Sequence, residues 1–417
     1  MLNRRRLKRE FIEMFQKHEN IAQAMGNMSV RSAKRLSELI VLSAVALFGV
    51  VSAANIDLRN VPSTALMIKQ LNSAYFVNGD DGNVHVEYDL LVTNAFSGPV
   101  TLKFVDVTDE NGKTLMRLDG DRLVQTTQTL FGQKPVKSIP ASSAVAVEID
   151  LTLPGKTPVP AVLSHRIAYD FSATDHLATV IGKKQIEGPI VSVNQAQPTL
   201  IASPLAGTGW VASNGCCSPN VHRNARLAAT DRIATPETFA IDWLRIDEGK
   251  FYKNDGSRNE DWSCFGVPVR SVSDGEVIGV RNDMPDGIPS PKQPATAKTP
   301  FDYGGNFVYV RIRPDLYAFY AHLQPGTVTV KAGDRVKTGT VLGKLGNSGN
   351  SFAPHLHFAI LDRPDALVGD SLPFVIDRFN ITGTLKVEDA TGQMSVEPKT
   401  LAVKDAYPLV RGIVTYH

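Results

Sequence analysis

The sequence predicts a mainly β protein in which two antiparallel bodies follow one another along the chain. In the first body, apolar and polar residues alternate with period two, which is typical of strands with one buried face. The alternating segments are residues 84–93, 100–107 and 144–152. In the second body, short apolar segments are separated by Gly and Asp, which again indicates antiparallel strands. A Pro-containing stretch at residues 197–204 separates the two patterns.

The first body has the strand spacing and size of an immunoglobulin-like β-sandwich, which we predict for residues 55–200. Turn-forming sequences separate its strands, among them residues 78–82 (Asn-Gly-Asp-Asp-Gly) and 109–112 (Asp-Glu-Asn-Gly). The domain division expected from these patterns is an N-terminal segment at residues 1–54, then the sandwich. The second β body, with a C-terminal β extension, follows at residues 201–417.

Residues 1–54 contain a basic segment and then an apolar run at residues 39–51. The run has 13 residues, follows Lys34 and Arg35, and is succeeded by small residues. This order of charge, apolar stretch and small residues is typical of a secretory signal, and the run is short for a membrane span. We therefore expect export to the periplasm, cell envelope or extracellular space. An uncleaved membrane anchor is the alternative.

The charge balance argues against a nucleic-acid-binding protein. The 417 residues include 44 Lys and Arg against 42 Asp and Glu, which gives a net charge of +2. Much of the basic excess lies in the first 35 residues, so the folded bodies have no predicted basic surface. Contact with a membrane is expected only through the N-terminal signal or anchor, and the oligomeric state is left open.

Three cysteines, Cys216, Cys217 and Cys264, all lie in the second half of the chain. In an oxidising compartment we expect one disulfide, from Cys264 to one of the adjacent pair, which leaves one free thiol. The number of cysteines excludes a zinc site with four thiolate ligands.

A loop rich in Gly, Asn and Ser leads into the segment Pro354-His355-Leu-His357-Phe. Side chains at positions i and i+2 leave the same face of a strand, so His355 and His357 are expected to present two imidazoles to one pocket. A strand end beside a loop is where a rigid scaffold usually displays reactive groups. The two-histidine pattern is short, and a surface strand that carries two histidines is the alternative.

Two further segments add chemistry to this pair. Asp242 stands in the apolar segment at residues 239–243, and a carboxylate buried there needs a partner charge or a metal. His322 adds a third imidazole at the end of another predicted strand. Together with His355 and His357, these residues offer the nitrogen and carboxylate ligands of an open zinc site and imidazoles for proton transfer.

The region from about residue 207 to residue 358 resembles the lysostaphin/LytM-type zinc metallopeptidases, which cut peptide cross-links of the bacterial cell wall. The segments that carry the resemblance are residues 268–277, 320–323, 333–339, 341–349 and 354–358. The resemblance implies a small antiparallel β fold with an open groove and one zinc ion. It also implies that Asp242 and His357 bind the zinc, while His355 and His322 flank the metal-bound water and the developing oxyanion.

One position departs from the family pattern. The family has a His-x-x-x-Asp motif that supplies the first metal ligand, whereas this chain has Thr238 four residues before Asp242. A threonine hydroxyl is a poor zinc ligand. We predict that His222 replaces the missing histidine, if residues 221–227 and 238–242 are the arms of a hairpin, because opposed Cβ atoms lie only about 5 Å apart. The alternative is a structural histidine beside the neighbouring arginine and cysteines.

The expected enzyme is an exported zinc metalloendopeptidase that hydrolyses peptide bonds in peptidoglycan cross-links or stem peptides by a zinc-bound hydroxide. His355 is predicted to take or orient the water proton and His322 to stabilise the oxyanion, and the two roles could be exchanged. The threonine at position 238 motivates an alternative, a catalytically degenerate LytM-like module that binds or regulates in the cell envelope. A third class is an envelope adhesion or assembly protein in which the sandwich is the functional part.

Overall fold

The structure is a computed structural model that describes residues 63–417, apart from residues 133, 156, 173–177, 291–296 and 388–393. The signal or anchor predicted within residues 1–54 lies outside the described residues. In the part of the chain that the structure describes, no helix has both the length and the apolar character needed to cross a bilayer. The chain is mainly β and its strands are almost all antiparallel, which confirms the predicted fold class.

Ten of the described strands lie between residues 66 and 192 and form two sheets, which we together call the N-terminal body. The strands are β1 Leu66–Gln70, β2 Tyr75–Asn78, β3 Asn83–Asn94, β4 Val100–Thr108, β5 Thr114–Asp119, β6 Thr127–Thr129, β7 Ala144–Pro154, β8 Val162–Phe171, β9 Gln185–Glu187 and β10 Val191–Ser192. A short helix, α1 Gly120–Thr126, and a 3₁₀-helix, Ala178–Val180, lie between them. The first sheet has the order β1-β3-β7-β6 with β2 on β3, and the second has the order β10-β8-β4-β5 with β9 on β8.

The two sheets of the N-terminal body enclose one apolar core. From β3 the core receives Val86, Tyr88 and Leu90, and from β7 it receives Val147 and Ile149. Because side chains alternate along a strand, the residues between these lie on the opposite face of the first sheet. Two sheets around one core agree with a sandwich, and its immunoglobulin-like character stays a prediction.

The second half of the described chain contains fifteen further strands. They are β11 Thr199–Ile201, β12 Gly207–Ser213, β13 Leu227–Ala228, β14 Ile233–Ala234, β15 Ile241–Arg245, β16 Pro268–Arg270, β17 Gly275–Arg281, β18 Asn306–Arg313, β19 Leu316–Leu323, β20 Arg335–Val336, β21 Val341–Lys344, β22 Leu356–Leu361, β23 Phe374–Val387, β24 Met394–Ala406 and β25 Gly412–Tyr416. Two 3₁₀-helices, Asn259–Asp261 and Pro300–Asp302, lie in the loops.

Eleven of these strands form one sheet, the central sheet, in the order β11-β23-β25-β12-β15-β22-β19-β18-β17-β20 with β24 on β23. Only β11 pairs in parallel, with β23, among the described strands of this sheet. The C-terminal strands β23, β24 and β25 therefore extend the same sheet that contains β15 and β22. The predicted domain border after residue 200 falls within β11, and it stays a prediction.

The central sheet has two apolar faces with different roles. On one face, residues such as Tyr320 and Phe358 belong to the main core. On the other face, Phe319 and Ala359 form a smaller apolar cluster. By strand alternation His357 in β22 shares the face of Ala359. The smaller apolar cluster thus lies on the same face of the central sheet as His357.

The cysteines do not pair as the sequence predicts. Cys216 and Cys217 form a disulfide with each other, and Cys264 is a buried free thiol, so the predicted bridge from Cys264 is wrong. The Cys264 side chain instead donates a hydrogen bond to the carbonyl oxygen of Pro354, with 3.1 Å between sulfur and oxygen. Burial raises the pKa of this thiol to about 12.

Candidate metal centre

Two strands of the central sheet bring Asp242 and His357 together. The two residues are direct register partners in β15 and β22. The Nδ1 atom of His357 lies 3.0 Å from Oδ1 of Asp242. Nε2 of His355 lies 3.4 Å from the same oxygen. The two histidines, two positions apart, thus reach one carboxylate from the same face, as strand alternation predicts.

His222 reaches this carboxylate from a separate segment. Its Nε2 atom lies 3.1 Å from Oδ2 of Asp242, and its ring centroid is 4.9 Å from that of His357. Only 5% of His222 is exposed. Its Nδ1 atom donates to the carbonyl oxygen of Ala240 at 3.2 Å, and this hydrogen bond directs Nε2 at Asp242. The structure therefore places His222 beside both of the other predicted donors.

The backbone that delivers His222 differs from the prediction. The prediction for His222 rests on the condition that residues 221–227 and 238–242 are the arms of a hairpin, but residues 221–224 form turns. The side-chain oxygen of Asn220 accepts a hydrogen bond from the backbone N–H of His222 at 2.9 Å. An Asn side chain that bonds to the backbone two residues later favours a turn over a strand. The predicted hairpin is therefore wrong, although the imidazole arrives near Asp242.

The donor set fits a zinc ion. His222, Asp242 and His357 each offer one ligand atom, and these atoms all lie within 4.8 Å of one another. Two imidazole nitrogens and a carboxylate oxygen are the ligand types of catalytic zinc sites, which use three protein ligands and keep one position open. All three residues are buried, so the site is shielded from bulk water on most sides.

The charges around Asp242 favour a cation at this place. Burial alone would raise the pKa of the Asp242 carboxyl, but His222 and His355 outweigh burial and hold it well below its usual range. Burial alone would lower the pKa of His222, but Asp242 and then Glu237 outweigh it and raise this pKa to about 9. The carboxylate is thus ionised near neutral pH, and it stabilises positive charge on His222.

His322 and His355 lie side by side, with ring centroids 4.8 Å apart. Nδ1 of His322 donates to the carbonyl oxygen of Ser348 at 2.8 Å, and Nδ1 of His355 donates to that of Ala353 at 2.8 Å. Burial lowers the pKa of both imidazoles, and His355 and His357 lower that of His322 further. Both rings are therefore neutral near pH 7, with Nε2 available to accept a proton.

The backbone around His322 is held in an uncommon conformation. His322 has a φ of 63°, in the left-handed region that costs a residue with a side chain roughly 1–2 kcal/mol. Its N–H donates to Gly304 and its carbonyl oxygen accepts from Gly346. A Cβ atom on Gly305 would meet the Ser348 backbone at 2.4 Å. Close backbone contacts thus fix the direction of the His322 ring, a pattern common at functional sites.

Sequence reasoning missed three polar residues near the site. Nδ2 of Asn214 donates to Oδ2 of Asp242 at 2.8 Å. The Tyr303 hydroxyl donates to Oε1 of Glu237 at 2.8 Å, and Glu237 is buried. The Asn-Gly pair that begins at residue 214 was an available signal, because it ends an apolar segment. Glu237 and Tyr303 are 66 residues apart and gave no local signal.

Comparisons with known proteins identify a peptidase family for part of this region. Residues 260–367 match the model of peptidase family M23, a segment that includes His322, His355 and His357 but begins after His222 and Asp242. Peptidoglycan DD-endopeptidase ShyC of Vibrio cholerae is 42% identical over 59 residues, which is 14% of this chain and 13% of that protein. Glycyl-glycine endopeptidase ALE-1 of Staphylococcus capitis is 34% identical over 119 residues, which is 28% of this chain and 25% of that protein.

The chain thus spans a quarter or less of the length of these two relatives. Among solved structures, the catalytic domain of lysostaphin from Staphylococcus simulans is 22% identical, with a TM-score of 0.21. That match covers 32% of this chain and 73% of the lysostaphin chain. The motifs of the second half and the family match lead to one conclusion: the chain carries a peptidase family M23 domain of the LytM/lysostaphin type.

Proposed function

We propose that the chain is an exported zinc endopeptidase that cleaves peptide bonds in peptidoglycan cross-links or stem peptides. The observation that carries this proposal is the convergence of His222, Asp242 and His357, whose ligand atoms lie within 4.8 Å of one another. The M23 match supports peptide hydrolysis. The names of the relatives, one a peptidoglycan DD-endopeptidase and one a glycyl-glycine endopeptidase, support the substrate class. The apolar run at residues 39–51 supports export.

His222, Asp242 and His357 would hold the zinc ion. Zinc bound there would supply a Lewis acid that polarises the scissile carbonyl and lowers the pKa of water to about 7. The hydrogen bond from His222 to Ala240 keeps its Nε2 directed at the site, and Asn214 fixes one carboxylate oxygen of Asp242. Such outer hydrogen bonds orient metal ligands and keep them in the correct tautomer.

His355 is the proposed proton acceptor. Its Nε2 carries a lone pair, because its Nδ1 proton is engaged by Ala353, and it lies 3.4 Å from Asp242. The carboxylate stabilises the imidazolium that forms when this nitrogen takes a proton from the attacking water. His322 is proposed to contact the oxyanion. Because its own Nδ1 proton is donated to Ser348, Nε2 carries no proton in the neutral ring, so this contact forms only after Nε2 has received a proton of the attacking water, directly or from His355.

Zinc content and peptide hydrolysis test the proposal on the purified full chain. We expect one bound zinc ion per chain and release of cleaved peptides from purified peptidoglycan, identified by mass spectrometry. The His222→Ala variant should lose the zinc, because only two protein donors remain. Thr238→Ala is the matched control and should keep it, since the hydroxyl is a poor ligand.

Two contrary outcomes have different meanings. A folded chain that binds no zinc at neutral pH and leaves peptidoglycan intact would favour the alternative, a degenerate LytM-like binding or regulatory module. Full zinc content in His222→Ala would reject His222 as a ligand but leave the endopeptidase proposal in place.

A further inference from the structure

We infer that the N-terminal body is part of the metal centre, because Arg223 and Arg226 anchor the His222 segment to buried carboxylates of β3 and β7. This inference rests on the proposed role of His222 as a zinc ligand. It assigns Arg223 and Arg226 as positioning residues, which act on the metal only through the backbone that carries His222.

The outer face of the first sheet of the N-terminal body concentrates negative charge. Glu87 is paired in register with Asp150, and Asp89 is paired with Glu148. Like charges directly opposite each other on neighbouring strands destabilise a sheet. Glu87, Asp89 and Glu148 are no more than 3% exposed, so water does not solvate them. A face of this kind needs positive partners from elsewhere in the chain.

Arg226 supplies one of these partners. Its Nε lies 2.8 Å from Oδ2 of Asp89, and its Nη2 lies 2.6 Å from Oε1 of Glu148. One guanidinium thereby bridges two opposed carboxylates. Arg226 is only 1% exposed. The planar fork of an arginine suits this double contact, which a lysine ammonium cannot reproduce.

Arg223 supplies the other partner. It forms ion pairs with Glu87 and with Asp89, the latter at 2.8 Å from Nη2 to Oδ1. Its Nη2 also donates to the carbonyl oxygen of Tyr88 at 2.8 Å. Arg223 is 3% exposed, so its guanidinium is enclosed by the sheet. Arg223 also directly follows His222 in the chain, and the bond between the two residues transmits this anchoring.

A compact turn connects the two arginines to His222. The backbone N–H of Ala225 donates to the carbonyl oxygen of His222 at 3.0 Å. The Asn224 side chain donates to the carbonyl oxygen of Asn220 at 2.9 Å and accepts from Nη1 of Arg226 at 2.9 Å. The segment therefore has internal hydrogen bonds but lacks the strand pairing that holds Asp242 and His357.

The metal centre is thus assembled from two directions. Asp242 and His357 come from the central sheet, whereas His222 is held by the N-terminal body. If the arginine contacts are lost, the turn gains freedom and the third donor spends less time in place. Loss of residues that orient metal ligands typically weakens metal affinity by about 10- to 100-fold, and we expect the Arg226→Met variant to fall in this range.

The test is the zinc dissociation constant of the full chain, measured by competition with a chromophoric chelator, with far-ultraviolet circular dichroism as the check on folding. Arg226→Met should raise the zinc Kd at least about tenfold. Arg226→Lys should give a smaller increase, because it keeps the charge but not both contacts. The control is Arg117→Met, which breaks a 2.6 Å ion pair with the buried Asp106 in the other sheet. It should leave the zinc Kd unchanged.

A second variant protects the test against misfolding of Arg226→Met. Glu148→Gln removes one charged partner of Arg226 but keeps the shape of the side chain, and it should also weaken zinc binding. Folded Arg226→Met and Glu148→Gln variants with the zinc Kd of the wild type would overturn the inference while leaving the proposed function intact. A wild-type chain that binds no zinc would instead reject the proposed function itself.

Discussion

The proposed donors of the metal centre reach it in two different ways. Asp242 and His357 are register partners on neighbouring strands, so the hydrogen bonds of the central sheet fix their separation. His222 stands in a turn, and side chains hold it: Asn220 within the segment and two arginines that reach into the N-terminal body. Local sequence therefore determines the face of the sheet from which a strand-borne donor projects, whereas the turn-borne donor depends on side-chain contacts with a distant part of the chain.

The largest expected effect concerns His355 and His322, the two histidines that are not proposed as metal donors. His355→Ala and His322→Ala should each lower the rate of peptide hydrolysis by about 10² to 10⁴-fold, because they remove a proton acceptor or a contact to the oxyanion. Zinc content should stay at the wild-type level in both. Loss of zinc from either variant would place that histidine among the donors and break the proposed division of roles.

The next largest effect on zinc binding is expected when the third donor is moved from position 222 to position 238. Thr238 is buried and stands four residues before Asp242. In the His222→Ala background, Thr238→His should tighten zinc binding at least about tenfold, since it restores a third nitrogen ligand. Thr238→Asn in the same background is the control and should restore nothing. Equal zinc Kd values for the two double variants would show that position 238 does not reach the metal.

The smallest effect is expected at Asn214, which orients Asp242. Asn214→Gly removes the 2.8 Å hydrogen bond to Oδ2 of Asp242, while glycine accepts the φ of 55° at this position without strain. We expect the zinc Kd to rise about tenfold. Asn254→Gly is a matched control, because Asn254 has a φ of 51° and its side chain donates to Asp261, which is not a proposed metal donor. A similar rise of the zinc Kd in both variants would show that the glycine in the backbone, and not the lost hydrogen bond to Asp242, weakens zinc binding.

The strand-borne half of the site could be read from sequence. Residues two apart on a strand share a face, so the segment His355-Leu-His357 predicts two convergent imidazoles, and an acid within an apolar strand predicts a partner for Asp242. Period-two alternation likewise predicts the strands of the first body, and short apolar segments separated by Gly and Asp predict those of the second. These signals are local, because strand geometry fixes where each side chain points.

The turn-borne half could not be read in this way. The sequence suggests His222 as a neighbour of Asp242, but it does not show how the chain brings the two residues together. The hairpin invoked for this is wrong, because Asn220 stabilises a turn. Glu87 and Asp89 alternate with core residues as exposed positions do, yet Arg223 covers them from 134 or more residues away. The predicted bridge from Cys264 failed for a related reason, since pairing of thiols depends on tertiary packing.

The buried thiol lies directly behind the loop that ends at His355. Its sulfur is 3.1 Å from the carbonyl oxygen of Pro354, and burial raises the pKa of Cys264 to about 12, so the reactive thiolate is scarce at neutral pH. An alkylating reagent can reach it only when the surrounding chain moves aside. The rate at which Cys264 is alkylated in the wild-type protein therefore measures how often the chain around Pro354 and His355 opens, without an introduced label.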